Sequence, residues 1–156
     1  MGLRQSILNE RVSDLDLRPI ITINPNRTVR QAVEKMRRKH LGLVVVVDKN
    51  KGMVGQFTER MLIKLLLNSP AGLDAPVKNH MCSEGAAVRL TDSIAKVIEC
   101  MEAKKQRFVL VLDDHGQPVG LTGQKTVMEY IADYFPRQVK VQDTGERLFM
   151  DQREGA

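Results

Sequence analysis

The chain matches itself at an offset of 65 residues without a gap, and this internal repeat constrains the fold more than any other feature of the sequence. Val12 aligns with Val77, Glu34 with Glu99, Met36 with Met101, Lys39 with Lys104 and Val44 with Val109. Val46 aligns with Val111, Asp48 with Asp113, Val54 with Val119 and Gly55 with Gly120. The apolar pattern agrees more widely than these identities. Val29, Ala32, Val33 and Met36 follow i, i+3, i+4, i+7, and Ile94, Val97, Ile98 and Met101 do the same. That spacing places one apolar stripe on an amphipathic helix. Thr28 or Asn26, and Ser93 or Asp92, supply an N-cap just before each stripe.

Leu43–Val47 and Phe108–Leu112 follow, rich in β-branched or bulky apolar residues and ending at Asp48 and Asp113. Each predicts a strand covered on both faces, because an apolar run without alternation leaves no face for water. A polar turn, a short strand reaching Gly55 or Gly120, and a second helix complete each copy. The second helices carry Leu62, Leu65 and Leu66, or Val127, Ile131 and Tyr134. Each copy therefore reads strand–helix–strand–strand–helix. A unit of about 60 residues is marginal alone. Two such units packed sheet against sheet give one workable core, with pseudo-two-fold symmetry and two equivalent clefts at the contact.

The 156 residues divide into a lead-in segment (1–11), a first repeat (12–69), a linker (70–76), a second repeat (77–135) and a polar tail (136–156). Leu3, Ile7 and Leu8 give the lead-in a short amphipathic helix, and Val139, Val141, Leu148 and Phe149 offer the tail a docking edge. Residues 1–70 carry a net charge of +7 and residues 71–135 a net of −2, so the two clefts are expected to differ electrostatically. The basic excess, notably Arg37-Arg38-Lys39-His40, reads either as a solvated helix face or as a site for an anionic partner. No aromatic residue lies between Met1 and Phe57, which disfavours single-strand nucleic-acid binding by base stacking.

The longest notable apolar run, Leu41–Val47, is far too short to span a membrane, and no secretory signal opens the chain. Two cysteines make no disulfide framework, so a cytoplasmic location is the simplest expectation. His80-Met81-Cys82 with Cys100 fits no zinc spacing, and no metal is expected. No nucleophile elbow, phosphate-binding loop or His-Glu-x-x-His helix is present, so an enzyme is not expected. Met1-Gly2-Leu3-Arg4-Gln5-Ser6 matches the short N-myristoylation pattern, which is common by chance.

The doubled helix stripe, Val46-Val47-Asp48 and Val111-Leu112-Asp113, and the Val-Gly step after each resemble the tandem cystathionine-β-synthase (CBS) domain pair, or Bateman module. The resemblance covers about residues 12–135. It implies an α/β fold of two CBS repeats packed as one module, dimerising through helices and holding adenosine derivatives in the clefts between repeats. AMP, ADP, ATP, S-adenosylmethionine and dinucleotides are the ligands it implies, acting as regulators whose state an unidentified protein partner reads.

The family motif Gly-x-x-Thr/Ser-x-x-Asp/Asn opens the second helix. Copy 1 reads Gly55-Gln56-Phe57-Thr58-Glu59-Arg60-Met61, and copy 2 reads Gly120-Leu121-Thr122-Gly123-Gln124-Lys125-Thr126. The ribose-binding acid is thus Met61 or Thr126, and the phosphate-side hydroxyl survives only as Thr58. A lost charged hydrogen bond costs about 1.5–3 kcal/mol. Arg60, Lys125 and Arg107 compensate with positive charge, and Gly42 stands where Arg107 has its counterpart. The candidate ligand-binding residues are therefore Gly55, Thr58, Arg60, Arg107, Gly120, Lys125 and Thr126, and a polyanionic ligand fits them better than a neutral nucleoside. The competing expectations are a ligand-free dimerisation or docking scaffold, and a nucleic-acid binder using the basic half.

Overall fold

A computed structural model describes residues 2–135; the tail expected at 136–156 lies outside the described residues. Each repeat builds a three-stranded sheet of the expected element order. In the first, β1 (Thr22–Ile23) pairs in parallel with β2 (Leu43–Val47), which pairs antiparallel with β3 (Met53–Thr58). In the second, β4 (Ala87–Arg89), β5 (Phe108–Leu112) and β6 (Pro118–Gly123) repeat that arrangement. The register shifts at Val46/Val47 in one sheet and at the equivalent Val111/Leu112 in the other. The helices are α1 (Leu3–Asn9), α2 (Val29–Lys39), α3 (Glu59–Asn68), α4 (Ile94–Lys104) and α5 (Gln124–Tyr134). Thr28 and Ser93 are the caps of α2 and α4, accepting from the N–H of Gln31 and Lys96. No helix among the described residues is long and apolar enough to cross a membrane.

The single core expected from the sequence resolves into three apolar clusters. Strand residues alternate between them, which explains the unbroken apolar runs. Val44 and Val46 face the helices of their own repeat, while Leu43 and Val45 join Leu110 and Leu121 between the two sheets. On the other sheet, Val109 and Val111 pack against Ile94, Val97 and Val127.

The repeats exchange their opening segments. Val12 and Leu15, at the start of the first repeat, are buried in the helix-side cluster of the second. Val77, at the start of the second repeat, is buried in the cluster of the first. Backbone hydrogen bonds fix this in matched pairs. Val12 N–H donates to the Asp92 carbonyl (2.9 Å), and Val77 N–H to the Arg27 carbonyl (2.7 Å). Ile94 N–H donates to Glu10 (3.1 Å), and Val29 N–H to Ala75 (3.0 Å).

The linker is not a free connection. Pro70–Asp74 forms a 3-10 turn, Leu73 packs on the first cluster, and Asp74 pairs with Arg30 at 3.0 Å. The lead-in helix α1 forms as expected, with Ile7 against the second cluster. The Tyr130 hydroxyl donates to Glu10 at 2.7 Å just beyond it. Desolvation first, and that hydrogen bond second, push the Tyr130 phenol up to about 12. Leu66 and Tyr134 do not join the cores: both are exposed, as are Ile63 and Leu67 on α3 and Met128 on α5.

Candidate functional site

A cleft of about 880 Å³ lies where the repeats meet and draws its walls from both. The first repeat supplies Arg18, Pro19, Ile20 and Ile21 on the way into β1, and Lys39, His40 and Leu41 at the end of α2. The second supplies Arg107 and Phe108 at the start of β5, and Thr122 to Thr126 where β6 turns into α5. Reciprocal backbone bonds of 2.8 Å between Arg18 and Leu121 hold the two sides together. His40, with φ 54°, takes the left-handed conformation that ends α2 and turns the chain into the cleft.

The cleft has a divided chemistry. Pro19, Ile20, Ile21, Leu41, Phe108 and Met128 give it apolar surface, and Arg18, Lys39, His40, Arg107 and Lys125 give it cationic or protonatable groups. Both arginines have carboxylate partners outside the lining: Arg18 pairs with Glu129 at 2.9 Å, and Arg107 with Glu59. Among the described residues, Lys39 and Lys125 have no ion pair.

The pseudo-symmetric counterpart is smaller, about 430 Å³, and is lined by Gly42, Thr58, Glu59, Arg60, Ile63 and Lys105 to Phe108. The expected equivalence of the clefts therefore fails. Its cause lies at Gly42, where an added Cβ would stand 2.5 Å from the Phe108 ring and 2.6 Å from the Glu59 carboxyl carbon. These side chains from either side of the boundary fill the space that Gly42 leaves. In the large cleft the counterpart of Gly42 is Arg107 itself.

The sequence-derived candidates do not form one set. Arg107, Lys125 and Thr126 line the large cleft, Thr58 and Arg60 line the small one, and Arg107 borders both. Gly55 and Gly120 line neither. A side chain at Gly55 would meet the Cys82 carbonyl at 2.8 Å, and one at Gly120 would meet Leu17 at 3.1 Å, so both glycines serve close packing. Thr58 is buried and caps α3, accepting from the Met61 N–H at 3.4 Å. Met61 packs against the first apolar cluster, so the ribose-acid position of copy 1 belongs to the core. The equivalent Thr126 is buried beside the large cleft and keeps a hydroxyl there. Arg60 donates to the Lys105 carbonyl at 3.2 Å.

Copy 2 lacks the motif hydroxyl for a steric reason. Gly123 has φ +154°, and a Cβ there would lie 2.0 Å from the Arg107 carbonyl oxygen. That carbonyl accepts from the Gln124 N–H at 3.0 Å, just as Gly42 accepts from Glu59. Restoring a hydroxyl by Gly123→Ser is expected to destabilise the fold by at least ~2 kcal/mol, since the strained φ and the backbone clash add; thermal unfolding measures it. Without a side-chain cap, α5 presents its N-terminal partial positive charge beside Lys125 and Thr126. Thr122, in the place of Phe57, is buried with an unpartnered hydroxyl at the cleft border.

Sequence reasoning missed Arg18, Lys39 and His40 as cleft residues. The basic run at 37–40 was the available signal, but only the tertiary fold brings it opposite Arg107.

The CBS-domain family model matches residues 12–68 and 77–133, and the chain belongs to that family. It is similar to an uncharacterised 17.7 kDa protein of Acidianus ambivalens, 23% identical over 82% of this chain and 77% of that one. It spans only 43% of a longer uncharacterised relative in Methanocaldococcus jannaschii. A CBS-domain protein of unknown function from Thermoplasma acidophilum shares the fold with a TM-score of 0.71 and 28% identity, over 78% of this chain and 68% of that one. A CBS-domain protein from Pyrobaculum aerophilum complexed with AMP matches with a TM-score of 0.70 and 23% identity, over 85% and 97%.

Proposed function

We propose that this chain is a regulatory CBS pair whose large cleft binds a phosphorylated adenosine nucleotide, AMP, ADP or ATP, and passes its occupancy to a protein partner. The observation that carries the reading is that one inter-repeat cleft is lined by both apolar and cationic side chains. The apolar residues suit a base. Arg107, Lys125 and the uncapped start of α5 suit phosphate, and Thr126 offers one hydroxyl where a ribose acid is missing. S-adenosylmethionine, with a cationic sulfonium, is the poorer fit to this charge. The AMP complex of the Pyrobaculum aerophilum relative supports the same ligand class.

Because both repeats wall the cleft, a ligand favours the seating in which they close on it, and the partner reads that population shift. The exposed apolar residues Ile63, Leu67 and Met128 on α3 and α5 support a homodimer formed through these helices. The role is binding and signalling, without a catalysed reaction. For the small cleft, filled by Phe108 and Glu59, the scaffold reading is the better one.

The test is a thermal-shift panel of AMP, ADP, ATP, S-adenosylmethionine and NAD, followed by calorimetry. A ligand at 100 times its Kd stabilises the fold by ~2.7 kcal/mol. The expected result is a shift with the adenosine phosphates and a stoichiometry of one per chain. Melting temperatures unmoved by every compound at millimolar concentration refute the reading.

A further inference from the structure

We propose that Glu59 is a resident anion for the large cleft: it holds Arg107 until a ligand phosphate displaces it, so that filling the cleft releases an ion pair between the repeats. The inference rests on reading that cleft as a phosphate site.

Arg107 stands at the junction of the two clefts and borders both. Its guanidinium donates to the carboxylate of Glu59, the first residue of α3 in the other repeat. The pair exists because Gly42 has no side chain; a Cβ there would meet the Glu59 carboxyl carbon. It is also weakly held. The side chains are 66% and 44% exposed, and an exposed ion pair is easily exchanged for a more highly charged anion. At the position of Glu59 the second repeat carries Gln124, so the large cleft has an amide where the small one has a carboxylate. The same carboxylate thus repels anions from the small cleft and competes with them for Arg107 at the large one.

Loss of the pair has a direction. The first turn of α3 is tied to the second repeat by Glu59–Arg107 and by Arg60 donating to the Lys105 carbonyl. A phosphate that captures Arg107 leaves only the second of these two ties. The helix so loosened is the one carrying the exposed Ile63 and Leu67.

The test titrates inorganic pyrophosphate, at low salt, into the wild-type chain, Glu59→Gln, Arg107→Ala and the double variant. Glu59→Gln is expected to bind about fivefold more tightly than wild type, chiefly because it frees Arg107. On the Arg107→Ala background the same change is expected to give less than a twofold effect, because there is no longer a guanidinium to release. Glu59→Asp keeps the charge and provides a second variant, expected to stay near wild type. Pyrophosphate binding by Glu59→Gln alone also supports the proposal. Equal affinity in wild type and Glu59→Gln overturns it, as does absence of binding in both. ADP is titrated in parallel to separate the two ideas. If ADP binds no more tightly than pyrophosphate while Glu59→Gln still tightens both, the nucleotide reading fails and the resident anion stands.

Discussion

Val12→Asp and Val77→Asp are each expected to abolish cooperative unfolding of the whole chain, although each lies in the opening segment of a repeat and far from the centre of its own sequence unit. Both valines are fully buried. Each sits in the apolar cluster of the opposite repeat, so a carboxylate there is unpaired in a dry site. Burial of an unpaired charge costs several kcal/mol, against a total stability of roughly 5–15 kcal/mol. The neighbouring backbone bonds, from Val12 to Asp92 and from Val77 to Arg27, are lost with the segment. Either repeat expressed alone is expected to fail for the same reason. Residues 12–69 lack Val77, and they expose Val12 and Leu15, which have no cluster of their own. Urea unfolding followed by circular dichroism checks both results. A sharp, wild-type transition in either variant would show that the exchanged segments are dispensable.

Arg107→Ala is expected to weaken ADP binding about tenfold while leaving stability within ~0.5 kcal/mol of wild type. A charge-assisted hydrogen bond to phosphate is worth about 1.5–3 kcal/mol, and the exposure of Arg107 puts it at the lower end. The side chain's partner, Glu59, is itself exposed enough to be resolvated when left alone. Arg107→Lys should recover part of the loss, because a point charge remains while the two-pronged donor geometry goes. Calorimetry at two salt concentrations measures the effect. Unchanged affinity would make Arg107 an ordinary solvated charge.

The local structure was legible because the repeat printed it twice. Apolar runs with two covered faces gave β2 and β5 at Leu43–Val47 and Phe108–Leu112, and the helical stripes with Thr28 and Ser93 gave α2 and α4. The exchange of Val12 and Val77 was not legible. The two residues are identical and equivalent, so pattern alone cannot say which core each one enters. Nor could local sequence show that Phe108 covers Gly42, because that contact crosses the repeat boundary. The departures from the family motif were visible, but their reasons were tertiary: Met61 is drawn into an apolar cluster, and Gly123 is pressed against the Arg107 carbonyl.

The exchanged segments also set an order on biosynthesis. Val12 and Leu15 leave the ribosome early, yet their burial requires Val109, Val111 and Val127, more than 90 residues later in the chain. The first sheet can complete its helix-side cluster once Val77 has emerged, whereas the segment with Val12 and Leu15 must wait until the second sheet exists. During that interval the apolar strip formed by Val12 and Leu15 is uncovered on the nascent chain. A neighbouring chain on the same message, further along in synthesis, offers it an identical place to dock.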